Sequence, residues 1–82
     1  MDFPPRIKAI DVFEGFILVV TFQNGIKKVL DFKDKLEEKR FEELRAETKF
    51  RTVRIEVGGV ALYWDDTMDI SENELWEDGI EI

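Results

Sequence analysis

Apolar residues fall along the chain in short runs whose spacing changes from strand-like to helix-like and back. Arg6-Ile7-Lys8-Ala9-Ile10-Asp11-Val12-Phe13 contains several β-branched residues and runs into Glu14-Gly15, which reads as a strand ending in a turn. Pro4-Pro5 gives it an extended opening. Phe16-Ile17-Leu18-Val19-Val20-Thr21-Phe22 is almost wholly apolar, so we expect a central strand with both faces covered. Gln23-Asn24-Gly25 supplies a hairpin signal, because Asn and Gly accept the positive φ of a type I′ turn. Ile26-Lys27-Lys28-Val29-Leu30-Asp31-Phe32 is the return strand, and the three runs read as an antiparallel meander.

Lys33 to Arg51 has the composition of helix, with Leu36, Phe41, Leu44 and Phe50 set among Lys, Glu and Arg. Phe41 and Leu44 share a helical face, whereas Leu36 to Phe41 and Leu44 to Phe50 are spaced too widely for one stripe. The spacing predicts two short helical pieces with a break near Arg45 to Thr48; a single helix over 34–51 is the competing reading. Thr52-Val53-Arg54-Ile55-Glu56-Val57 alternates, with Val53, Ile55 and Val57 facing inward. Gly58-Gly59 turns the chain into Val60-Ala61-Leu62-Tyr63-Trp64. Alternation there puts Val60, Leu62 and Trp64 on the core face and Ala61 and Tyr63 on the other. Ser71-Glu72-Asn73-Glu74 matches a capping box, in which Ser71 caps a short helix and Glu74 reaches back to the backbone; Leu75 and Trp76 are that helix's apolar anchors. The expected class is α+β: a small antiparallel sheet of about five strands in two hairpin sets, with two or three short helices.

Composition narrows the functions available. The 82 residues suffice for one domain, and they include no cysteine and no histidine. Disulfide scaffolds, zinc fingers, thiol nucleophiles and Ser/His or Cys/His catalytic arrangements lack their residues. Met1-Asp2-Phe3-Pro4-Pro5-Arg6 has no apolar stretch of the kind a secretory signal needs, and the longest apolar run, Phe16 to Val20, is far too short to span a membrane. A cytoplasmic protein without membrane partners is the expectation.

The net charge of −7 is unevenly placed. Residues 1–64 hold all 12 basic side chains against 11 acidic ones, a balance of +1, while residues 65–82 hold eight carboxylates and no Lys or Arg, a balance of −8. Between Lys27 and Arg54 ten basic residues are interrupted by seven carboxylates, which describes a mixed solvated surface better than a nucleic-acid footprint. The C-terminal acidity either solubilises the chain or steers a basic partner protein.

Several segments together resemble the bacterial family catalogued as domain of unknown function 2442. They are Pro5-Arg6-Ile7; Val20-Thr21-Phe22-Gln23-Asn24-Gly25; Leu30-Asp31; Phe50, Val53, Arg54 and Ile55; and Trp64, Asp69-Ile70 and Leu75. The resemblance covers about residues 5–77 of a single domain over 1–82, leaving an acidic tail at 78–82. Two positions depart from the family pattern: Asp65-Asp66-Thr67 stands where members often carry Pro-Asn-Gly, and Arg45-Ala46-Glu47 where a Pro follows the first helical turn. The resemblance implies a small α+β domain with no established activity, sometimes fused to a helix-turn-helix that this chain has no room for. It also implies a gene neighbourhood similar to that of toxin–antitoxin pairs.

Candidate chemistry is sparse. Asp65, Asp66 and Asp69 form the one cluster of metal-ligand composition, since hard cations accept carboxylate oxygens. An EF-hand beginning at Asp65 would need Gly and Glu where Ile70 and Trp76 stand. The alternative is a polar loop whose Asp69 and Ser71 lead into the capped helix. Tyr63 beside Arg54 suits a protein interface, where both residue types are enriched. With Asp66, Asp69 and Glu72 they are the interaction candidates. No residue pattern requires a cofactor. A non-enzymatic interaction module is the leading expectation, with an antitoxin-like role and a carboxylate–metal enzyme as alternatives. Homo-oligomerisation through an exposed edge is open.

Overall fold

The computed structural model describes residues 4–82. Residues 1–3, part of the segment read above for a secretory signal, lie outside them. Strands β1 (Ile7–Phe13), β2 (Ile17–Phe22) and β3 (Lys27–Asp31) form the expected meander. Three helical pieces follow: 3-10 turns at Lys35–Glu37 and Lys39–Arg45, then α1 (Glu47–Phe50). β4 (Arg54–Ile55), a 3-10 turn at Val57–Gly59, β5 (Ala61–Asp65), β6 (Met68–Ser71), α2 (Glu72–Asp78) and β7 (Ile80–Glu81) complete the chain. The class is α+β, but seven strands make two antiparallel sheets, ordered β1-β2-β3-β7 and β4-β5-β6. No helix among the described residues is long and apolar enough to cross a membrane.

Four local expectations are corrected. The first hairpin turn is not type I′. Gly25 takes φ 89°, but Asn24 stays at negative φ and its side-chain oxygen accepts from the Ile26 N–H at 3.0 Å. Gly25 N–H donates to the Phe22 carbonyl at 2.9 Å, which makes a type I turn closed by a left-handed glycine bulge. The strand expected over 52–57 is shortened to Arg54–Ile55, because the chain turns at Val57, which is 88% exposed. Val60 lies in the same turn with helical dihedrals, so it is exposed and does not join Leu62 and Trp64. The Asp65–Asp69 segment is not a loop running into a helix but the turn and return strand of a hairpin, β5–β6.

The other departures are of degree. Ala46 is extended (φ −78°, ψ 110°), which puts the helix break inside the expected stretch, and a second break at Glu38 makes three pieces. Ser71 Oγ accepts from Glu74 N–H at 3.1 Å, the expected half of the capping box; the Glu74 carboxylate turns away to Lys35 and Arg40. Beyond α2, Ile80 and Glu81 pair with Val29 and Lys28, so the acidic end of the chain continues the first sheet.

The core lies where the two sheets and the helical middle converge. Leu18, Val20, Phe22 and Leu30 come from the first sheet, Leu62, Trp64, Met68 and Ile70 from the second, Phe41, Leu44 and Phe50 from the middle, and Leu75 from α2. At its centre the Phe32 ring lies 5.1 Å from Phe41, 5.3 Å from Phe50 and 5.5 Å from Trp64, at the tilted and edge-on angles that aromatic quadrupoles favour. β2 is central, as expected, yet only one of its faces is buried: Leu18, Val20 and Phe22 are inside, whereas Ile17, Val19 and Thr21 are half-exposed. Gly59 takes φ 71° at a point where a Cβ would run into the Ile7 carbonyl oxygen, so the second hairpin can press onto β1 only with glycine there.

Candidate functional site

The hairpin geometry brings three of the predicted interaction residues into one row. Arg54 on β4 is the cross-strand neighbour of Tyr63 on β5, and Tyr63 is that of Asp69 on β6. Tyr63 is half-buried between an exposed Arg54 and an exposed Asp69. Directly paired residues share a face of a sheet, so the row is a cation, a ring and a carboxylate side by side. Glu72 stands apart, at the start of α2, where it accepts a hydrogen bond from the Arg6 guanidinium at 3.0 Å.

The aspartates of the DDxxD segment are not brought together. Asp65 Oδ1 accepts from the Thr67 N–H and Oγ1, each at 2.8 Å, and from the Met68 N–H at 3.1 Å; Oδ2 accepts from Lys49 Nζ at 2.9 Å. These bonds build the β5–β6 turn. The Lys49 ammonium, then the Thr67 donors, hold the Asp65 carboxyl down to a pKa of about 2. Asp66 is exposed at the turn and Asp69 belongs to the Tyr63 row. Among the described residues no three or more carboxylates are grouped to hold a metal ion.

A concavity lies elsewhere. An open groove of about 560 Å³ lies between β3, the turn at 34–38, the end of α2 and β7. Val29, Leu30 and Ile80 give it apolar walls; Asp31, Asp34, Glu38, Glu77 and Asp78 surround them with five carboxylates against the single ammonium of Lys35, a balance of −4. Lys35 is only 9% exposed and its Nζ donates to Asp78 at 2.6 Å and to Glu74 at 2.7 Å. Burial, the largest influence, opposes its charge, but the hydrogen bonds to Asp78 and Glu74 outweigh burial and raise its pKa. Glu74 is the counterpart. Burial disfavours its charge, hydrogen bonds from Arg40 and Lys35 overcome that, and its pKa is lowered.

Local structure explains why the groove stays acidic. Lys35 is consumed by α2, Arg40 binds Glu38 at 2.8 Å and Glu74 at 2.5 Å, and among the described residues Asp34 and Glu77 have no ion pair. The C-terminal excess is similarly divided. Asp65, Glu72, Glu74 and Asp78 are paired inside the domain, while Asp66, Asp69, Glu77 and Glu81 have no ion pair among the described residues.

None of the groove residues is among the interaction or metal candidates read from the sequence, because residues 29–38 meet 77–80 through the β3–β7 pairing and the burial of Lys35. One signal was present. Glu74 and Asp78 are four apart on one short helix, and like charges at that spacing repel unless a cation from elsewhere stands between them. A family model described as a protein of unknown function, DUF2442, matches residues 7–81. No curated protein and no solved structure matches the chain.

Proposed function

The chain belongs to the DUF2442 family of proteins of unknown function, and we propose that it is a protein-interaction module, not an enzyme, that receives a basic partner in the groove between β3, α2 and β7. The observation that carries the reading is the groove's lining: five carboxylates and one ammonium around Val29, Leu30 and Ile80. A lysine or arginine fits that chemistry. Its aliphatic stem lies on apolar surface while its charged head reaches a carboxylate, here Asp34 or Glu77. A concave site lined by one sign of charge also focuses its field and speeds the encounter with an oppositely charged protein.

The narrower form of the reading is antitoxin-like: the partner is a small basic protein made from an adjacent gene. A carboxylate–metal activity draws less support, since Asp65, one of its three candidate ligands, has its oxygens committed to Lys49, Thr67 and Met68.

The test is co-purification with the adjacent gene's product at low and high salt. Co-elution at low salt that is lost on raising the salt, and lost in the double variant Asp34→Lys, Glu77→Lys, is the expected result. A complex that forms equally well with that variant, or no complex, contradicts it.

A further inference from the structure

The first sheet has an outer face that nothing among the described residues covers. The register places Phe13, Ile17 and Asp31 in one row across it. Asp11, Val19, Val29 and Ile80 form the next, and Ala9, Thr21 and Lys27 the third. Ile82 follows beside Lys27, to whose carbonyl its N–H donates at 3.1 Å. Phe13 is 53% exposed and Ile80 and Ile82 are each 69% exposed, and Ile17, Val19 and Val29 do not pack on the core. Six large apolar side chains thus share one side of a sheet whose other side already holds the core. Contiguous apolar surface of this kind on a small domain marks an interaction site.

The charges on this face indicate its occupant. Lys27 and Asp31 sit on β3 two positions to either side of Val29, and Asp31 also lies 3.4 Å from Lys33 of its own chain in an exposed pair that water screens. Consider two copies packed face to face about a two-fold axis along the Asp11–Val19–Val29–Ile80 row. Val19, Val29 and Ile80 each meet their own symmetry mates, Lys27 of one copy lies over Asp31 of the other, and the same pair recurs across the axis. The roughly 30° between the strands of aligned sheets displaces these two groups by only a few ångströms, within reach of a lysine side chain. An isologous interface needs this self-complementarity, with residue i on j and j on i. We infer that the outer face of the four-stranded sheet is a homodimer interface, in which two copies stack as a β-sandwich.

Asp11 opposes its own mate across the axis, but on the outermost strand, where water and salt screen the repulsion. The face spans four strands and three rows, roughly 15 Å each way. That is smaller than the ~800 Å² per partner of a standard interface, so the dimer is weak and concentration-dependent.

Sedimentation equilibrium from roughly 20 μM to roughly 1 mM tests the inference without any other ligand. The expected result is a weight-average mass that climbs from one chain towards two, and that stays at one chain in Val19→Lys. Lys27→Asp should weaken association about tenfold by setting carboxylate over carboxylate, and the swap Lys27→Asp with Asp31→Lys should restore it. Asp11→Asn should strengthen it. Far-UV circular dichroism checks that each variant is folded. A wild-type chain that stays monomeric throughout overturns the inference, and so does association indifferent to Val19→Lys, or a double swap no better than Lys27→Asp alone. Val29, Ile80 and Asp31 belong to both the groove and this face. Asp34 and Glu77 are not on it, so Asp34→Lys with Glu77→Lys should leave the dimer intact while abolishing groove binding, which separates the two ideas.

Discussion

The indole N–H of Trp64 donates to the carbonyl of Phe50 at 2.9 Å, across 14 positions of sequence. That bond ties β5 to the end of α1, and it is why a ring with a polar edge can lie 7% exposed among Phe32, Phe41 and Phe50. Trp64→Phe leaves the Phe50 carbonyl without its donor and should lower stability by about 1–3 kcal/mol. Trp64→Ala adds a cavity and should lower it by about 3–5 kcal/mol. A domain of this size has roughly 4–12 kcal/mol in total, so the second change consumes much of it. Urea unfolding followed by circular dichroism reads both.

Lys35 joins two parts of the chain that neither hairpin connects. Lys35→Met removes the ammonium between Glu74 and Asp78 and leaves two carboxylates facing each other one helical turn apart. The expected loss is about 1–2 kcal/mol, below the ~3–5 kcal/mol of a fully buried pair, because Asp78 is about half exposed. Making Glu74→Gln and Asp78→Asn in the same chain should return most of that loss. Chemical denaturation of the single and triple variants measures it.

Stability should fall in acid for an assignable reason. The folded-state pKa of Asp65 lies at about 2 and that of Glu74 is also lowered. Groups lowered on folding stabilise the native state above their unfolded pKa, about 4 for carboxylates, and lose that contribution as pH falls through the folded value. Thermal melts should therefore hold their midpoint from pH 7 to about pH 5 and drop between about pH 4 and pH 2. Asp65→Asn should start from a lower midpoint at neutral pH and show a shallower acid drop, since its ion pair with Lys49 is already gone.

Two glycines with positive φ should respond differently to alanine. Gly25→Ala, at φ 89° with nothing within 4 Å of the new Cβ, should cost only the left-handed strain, about 1–2 kcal/mol. Gly59→Ala meets the Ile7 carbonyl oxygen, the Ile7 nitrogen and the Arg6 side chain as well, so it should cost more, in proportion to how far the second hairpin must lift from β1. Thermal melts of the two variants side by side give the comparison.

How much of this was legible in the chain depended on where each element gets its stability. The meander, the helix break and the Ser71 cap follow from local patterns, and each stands in the structure. β6 was hidden because Met68 and Ile70 flank Asp69 just after Asp65-Asp66, an acidic stretch that suggested a loop. β7, two residues long, has no pattern of its own and exists because β3 offers it an edge. Val57 and Val60 misled because their β-branched side chains suit a strand, whereas the tight Gly58-Gly59 turn holds both of them outside the sheet. The adjacency of Arg54 and Tyr63 was readable because a hairpin fixes which residues face each other. The groove was not, since its two sides come from residues 39 or more positions apart.

The most direct test of groove recognition is an amide-resolved NMR titration with a short blocked peptide of alternating Lys and Leu, set against the same peptide with Glu in place of Lys. The lysine peptide should move the amides of the groove-lining residues between Val29 and Glu38 and between Glu77 and Ile80, and leave those of Arg54, Tyr63 and Asp69 in place. The glutamate peptide should move none, and Asp34→Lys with Glu77→Lys should abolish the response. Shifts scattered evenly over the acidic surface, or a groove that both peptides leave untouched, would contradict it.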